Sequence, residues 1–143
     1  MTIENNKAVV QRYYQEVLNA GRVDVLDELA VEDYAEHDPL PGQGTGRAGL
    51  AQRANMLIDG LAGHFEIEDM VAEGDRVVVR WTNTGTQVGE FAGIPPTGNP
   101  FTIAGIDIHA VRGGRLAEHW HVVDQFSLLQ QLGVLPIPAA ASA

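Results

Sequence analysis

The chain contains no cysteine. That excludes disulfides, thiolate metal ligands and a cysteine nucleophile together. Basic residues are scarce: 9 Lys and Arg stand against 19 Asp and Glu, for a formal net charge of −10. Binding to phosphate needs a basic face, so neither nucleic acid nor an anionic membrane surface is an expected partner. No apolar run approaches the ~20 residues of a membrane helix. The opening MTIENNKAVVQRYY has no basic segment followed by an apolar one, so no signal peptide is expected and the cytoplasm is the expected location. What is present, 45% apolar and 20% charged residues over 143 positions, suits one globular domain. It is expected to span 1–143, with a core over about 5–136 and a loose tail at 137–143.

Helical periodicity fills the first part. Val9, Val10, Tyr13, Val17 and Leu18 form an apolar stripe over 4–20, closed by Gly21. VDVLDEL (23–29) reads as a second short helix. VEDYAEHDP is a short extended piece that carries His37 and Asp38 and stops at Pro39. A third helix is expected over about 47–62. From residue 64 the period becomes two: strands HFEIEDMVAEG, DRVVVRWTNTGTQ, FTIAGIDIHAV and RLAEHWHVVDQ follow, with the proline-rich loop EFAGIPPTGNP between the second and third. Residues 126–132 suit a final helical turn. Three helices followed by four strands predict an α+β fold, with the helices packed on one face of a curved antiparallel sheet. Such a sheet forms a cone with an internal pocket.

EHWHVVDQ (118–125) places two of the five histidines two residues apart, on one face of one strand. The face depends on the RGGR turn. A two-residue turn puts Asp107 opposite Trp120, with His119 and His121 on the other surface. A three-residue loop with a glycine bulge slips the register by one and brings Asp107, His109, His119 and His121 to one face.

GTQVGEFAGIPPTG, GIDIHAVRGGRLAEHW and LLQQLGVLP, with this order of elements, resemble the SnoaL-like polyketide cyclase family. That family belongs to the cone-shaped, nuclear transport factor 2-like superfamily, which includes ketosteroid isomerase, limonene epoxide hydrolase and scytalone dehydratase. The resemblance runs over about 5–136 and favours the slipped register. It implies a cofactor-free enzyme, without metal, acting on a small apolar carbonyl compound, and a homodimer. A zinc or iron triad of His119 and His121 with Asp107 or His109 is the metal alternative. On the cyclase reading, an intramolecular aldol closure, His121 acts as base and then acid, in place of the aspartate of the family's cyclases. Asp107 and His109 orient it or donate to the enolate. Tyr13, His37, Asp38, Trp81, Gln87 and His119 contact substrate. The N-terminal third also resembles ketosteroid isomerase, which implies a proton shuttle with Asp38 as base and Tyr13 plus Asp107 as oxyanion hole. A domain that binds small ligands without catalysis is the third expectation.

Overall fold

A computed structural model describes residues 2–136. Helix α1, Ile3–Arg12, is capped by Thr2, whose Oγ1 accepts from the Asn5 amide at 3.0 Å. It continues as a π-helix over Tyr13–Asn19, and Tyr13 and Tyr14 are both buried there. A 3₁₀ turn at Val23–Val25 leads into α2, Leu26–Leu29, and then β1, Ala30–Glu36. Helix α3, Gly46–Met56, also ends in a π-helical segment, Leu57–Leu61. Strands β2 (His64–Glu73), β3 (Arg76–Thr86), β4 (Pro100–Arg112) and β5 (Arg115–Val123) follow, and α4 covers Gln125–Gln131. Asp124 caps α4 by accepting from the Ser127 amide at 3.1 Å. Among the described residues no helix is long and apolar enough to cross a membrane. The expected tail at 137–143 lies outside the described residues.

The expected α+β fold with a curved, open sheet is present. One strand was not foreseen. VEDYAEHDP supplies β1, and the sheet runs β1-β5-β4-β3-β2, with β1 parallel to β5 and all other pairs antiparallel. The period-two pattern holds along the centre of the sheet. Val77, Val79, Trp81 and Asn83 of β3 and Phe101, Ile103, Asp107 and His109 of β4 are buried on the inner face. The outer face exposes Val71, Ile106, Ile108 and Val122.

The β4–β5 hairpin reaches the expected face by a different route. Arg112 pairs with Arg115, so the turn has two residues, and Gly113 and Gly114 take φ of 58° and 76°. Two successive left-handed residues make a type I′ turn, which glycine adopts without steric cost. The slip comes afterwards. Val111 pairs with Leu116 but Ala110 with Glu118, leaving Ala117 as the extra residue of a bulge. Asp107 therefore lies opposite His121, and His109 opposite His119. The three-residue loop is absent.

Candidate functional site

The inner face of the sheet and the two long helices enclose a cavity of about 540 Å³. Its deep wall is apolar, built from Leu18, Leu61, Phe65, Phe91, Ile103 and Leu128. Toward the mouth the wall turns polar, with Tyr13, Asp38, Arg53, Asp107, His119 and His121.

Beneath the polar wall runs a buried chain of alternating charge. Arg53 Nη1 is 3.6 Å from Glu36 Oε1. His119 Nδ1 donates to the Glu36 carboxylate at 2.7 and 2.8 Å, and its Nε2 donates to Asp107 Oδ1 at 3.0 Å. Asp107 Oδ2 accepts from Trp81 Nε1 at 2.9 Å and from the Tyr14 hydroxyl. Burial opposes charge on His119, but Asp107 and Glu36 outweigh it and raise the imidazole to about 9. Burial also works against the Asp107 anion, and the His119 cation overcomes it with help from the Tyr14 hydrogen bond. The carboxyl is held well below its usual range. Asp107 is thus an acceptor surrounded by donors, a weak base and not a donor itself.

His109 lies behind this chain. Its Nε2 is 2.7 Å from the Tyr14 oxygen, and Nδ1 is shielded without a partner among the described residues. Burial, then the His119 cation, pushes its pKa down to about 3. The neutral ring therefore donates through Nε2 to Tyr14, which donates to Asp107.

These shifts set a pH dependence. The raised His119 pKa adds stability that is complete below about 6.5 and lost as pH rises toward about 9. The lowered His109 pKa has the opposite side: as pH falls below about 6.5 the unfolded chain takes up a proton that the folded ring refuses down to about 3. Stability is therefore expected to peak near pH 6.5. It should decline on the alkaline side by up to about 1.4 kcal/mol per pH unit. Urea midpoints at pH 6.5, 8 and 9 check this, and His119→Gln should flatten the alkaline limb.

His121 projects from β5 into the cavity beside His119, the rings 5.3 Å apart and 19° from parallel. Arg53 Nη2 is 3.2 Å from its Nδ1. Arginine has no acceptor, so Nδ1 accepts and the neutral ring carries its proton on Nε2. Burial, then Arg53 and the His119 cation, lower the His121 pKa and keep the ring neutral. Tyr13 has no hydrogen-bond partner among the described residues for its hydroxyl, and burial raises its pKa, so it stays protonated. Asp38 Oδ2 accepts the His121 amide at 2.9 Å. Asp38 Oδ1 has no partner among the described residues and stands at the cavity mouth.

The structure thus gathers Tyr13, Asp38, Trp81, Asp107, His119 and His121 at one cavity. His37 stands at its edge, but its ring stacks on Trp120 at 4.3 Å and pairs with Glu118 at 3.0 Å. Two expectations need correction. His109 shares the inner face, yet Tyr14 and Asp107 screen it, so it does not line the cavity. Gln87 does not line it either. Its side chain pins the proline-rich loop by accepting from Thr97 and donating to the Gly89 and Ile94 carbonyls. The sequence reading missed Tyr14, Glu36, Arg53 and Asn83. Arg53 did leave a signal, because it interrupts the apolar face formed by Leu50, Ala54 and Leu57. The metal alternative of His119 and His121 with Asp107 or His109 does not form one cluster; among the described residues the ligand atoms within 4.8 Å of one another belong to Glu36, His119 and His121, or to Asp107, His109 and His119. Arg53 already places its cation against Glu36 and His121, and the second set includes the charged His119.

Gly105 makes the Trp81 contact possible. A Cβ at 105 would lie 2.2 Å from the indole. Gly105→Ala is expected to push Trp81 off Asp107 and to destabilise the fold by about 1–3 kcal/mol, measurable by urea denaturation.

No curated protein matches the chain significantly. Solved structures match over most of its length. TsrD from Streptomyces laurentii is 28% identical with a TM-score of 0.85, over 94% of this chain and 99% of that one. IdmH from Streptomyces antibioticus is 30% identical with a TM-score of 0.75, over 90% and 99%. A SnoaL-like protein from Jannaschia sp. CCS1, 24% identical with a TM-score of 0.82 over 95% and 97%, shares the fold. The SnoaL-like polyketide cyclase family model matches residues 8–132. The chain belongs to the SnoaL-like polyketide cyclase family.

Proposed function

We propose that the protein is an acid/base enzyme that forms an enolate from an apolar carbonyl compound and directs it into intramolecular carbon–carbon closure. The observation that carries this reading is the Arg53 contact on His121 Nδ1. It leaves His121 a neutral donor at Nε2, and a neutral imidazole can polarise a carbonyl by its N–H. Tyr13 supplies a second neutral donor on the same cavity. Together they make an oxyanion site in a largely apolar enclosure, where such donors act most strongly.

A ring already protonated at Nε2 and blocked at Nδ1 is poorly placed to take a proton, which favours the donor role for His121 over the base role. Asp107 is saturated by donors. The base is assigned to Asp38, whose Oδ1 is free. Asp38 removes a proton from the carbon α to the substrate carbonyl, and the C–H electron pair moves onto the oxygen held by His121 and Tyr13. The enolate carbon then attacks a second carbonyl of the same molecule. The new alkoxide recovers the proton from Asp38, so the product is an isomer of the substrate. Without a second carbonyl in reach, the same enolate reprotonates elsewhere, which is the isomerase outcome.

The test uses 2-tetralone in buffered D₂O, with α-deuteration followed by proton NMR. The parent chain should accelerate exchange, Asp38→Asn should abolish the acceleration, and His121→Phe should reduce it by about 10²–10³-fold. Unchanged exchange in Asp38→Asn together with loss in His121→Phe returns the base role to His121. No acceleration by the parent chain sinks the enolisation reading.

A further inference from the structure

The catalytic groups above occupy one end of the cavity. At the other end, Asn83 stands among apolar walls, with Gln125 the other polar residue of the lining there. It points inward from β3, is 2% exposed, and its side chain has no hydrogen-bond partner among the described residues. Its Oδ1 is shielded from solvent by the Gly63 backbone, where a Cβ would come within 2.1 Å of it. Leu61, Phe65, Phe91 and Ile103 surround it. A buried amide left unpaired is destabilising, and native proteins rarely retain one without a use.

Register gives the spacing. Asn83 lies opposite Ile103, and His121 lies opposite Asp107, four residues further along β4. Strand rise makes this roughly 13 Å along the sheet, and β4 between the two strands adds roughly 10 Å across it, so the two Cα atoms stand about 16 Å apart. Both side chains reach inward, and the wall between the two polar ends offers Leu18, Trp81 and Leu128.

We infer that Asn83 is a second recognition point, which binds an oxygen at the far end of an elongated apolar substrate while His121 and Tyr13 hold the reacting carbonyl. The inference rests on the carbonyl-binding role proposed for His121. It names the substrate class more narrowly: a flat or folded hydrocarbon frame carrying an oxygen at each end. Oδ1 is turned against Gly63, so the group left for a ligand is the Nδ2 donor, and a terminal ketone, ether or hydroxyl oxygen would each accept from it.

Two rigid fluorescent ketones test this. 2-Acetyl-6-methoxynaphthalene carries an oxygen at each end, and 2-acetyl-6-ethylnaphthalene replaces the far oxygen by a methylene of similar size. Dissociation constants of both are measured by fluorescence titration for the parent chain, Asn83→Leu, Asn83→Ala and His121→Phe. The parent chain is expected to prefer the methoxy ketone by about 10-fold. Both Asn83 variants should lose that preference, and Asn83→Leu should melt at or above the parent temperature, because it removes an unpaired amide. His121→Phe should weaken both ketones alike and leave the preference intact. Equal binding of the two ketones by the parent chain, or a preference that survives in both Asn83 variants, overturns the role of Asn83 and leaves that of His121 standing. Undiminished binding to His121→Phe overturns the carbonyl-binding reading on its own. Binding of neither ketone overturns both.

Discussion

Replacing Asp107 by alanine is expected to lower stability by about 3–5 kcal/mol. The substitution leaves the buried His119 imidazolium with Glu36 alone and deprives the Tyr14 hydroxyl and Trp81 indole of their acceptor. A buried charge stripped of one partner loses far more than the net worth of the pair. For a chain of this length the thermal midpoint should fall by about 10 °C or more. Asp107→Asn keeps the volume and one carbonyl oxygen and should fall between the two. Removing the charge on both sides, as in Asp107→Ala with His119→Leu, should recover part of the loss, since the two residues act as a unit. Thermal melts of the four chains decide the matter. A single Asp107→Ala as stable as the parent would mean that His119 is neutral in the folded state.

The second large effect is expected from Arg53→Met. This guanidinium, 6% exposed, touches Glu36, His121, Gln43 and the Asp38 carbonyl. Its donation to Nδ1 sets which nitrogen of His121 faces the cavity with a proton. Without it both tautomers become available, and one presents a lone pair where a donor is needed. Exchange of the 2-tetralone α-protons should slow by about 100-fold. Nitrogen-15 shifts of the His121 ring should change from a single Nε2–H tautomer to a mixture. Arg53→Lys retains a cationic donor and should restore the tautomer in part, though lysine cannot reproduce the fork that reaches several acceptors. An unchanged tautomer in a folded Arg53→Met chain would remove Arg53 from the mechanism.

The local signals in the sequence carried most of the fold. Alternation in RVVVRWTN and FTIAGIDIH placed Trp81 and Asp107 on the inner face. The His-x-His spacing placed His119 and His121 on one surface. Contacts between distant segments were not legible. Glu36 meets His119 only because β1 runs parallel along β5, and nothing near VEDYAEHDP announces that pairing. The Ala117 bulge has no residue signature either. RGGR marked the place of a turn but not its length: the slip was expected inside a three-residue loop, and it falls instead at Ala117, after a two-residue turn. Tyr14 belongs to the same helical stripe, four residues after Val10, and its role was missed because its partners Asp107 and His109 are far away in sequence. The candidate site was therefore read as a set of histidines. The structure divides that set into a charged clamp (His119), a screened ring behind it (His109) and a ring on the cavity wall held by Arg53 (His121).

The alternating order Arg53, Glu36, His119, Asp107 sums to zero, two cations against two anions, inside a protein of net charge −10. A ligand that reaches the pocket thus meets a charge-balanced floor, with the Asp38 carboxylate at the mouth, although the molecular surface it crosses is strongly acidic. Anionic compounds are repelled at long range and find inside only cations already paired with Glu36 and Asp107. Uncharged compounds feel neither field. Ionic strength should therefore scarcely alter the Michaelis constant for a neutral substrate, while added salt should relax the exclusion of carboxylates by screening the exterior.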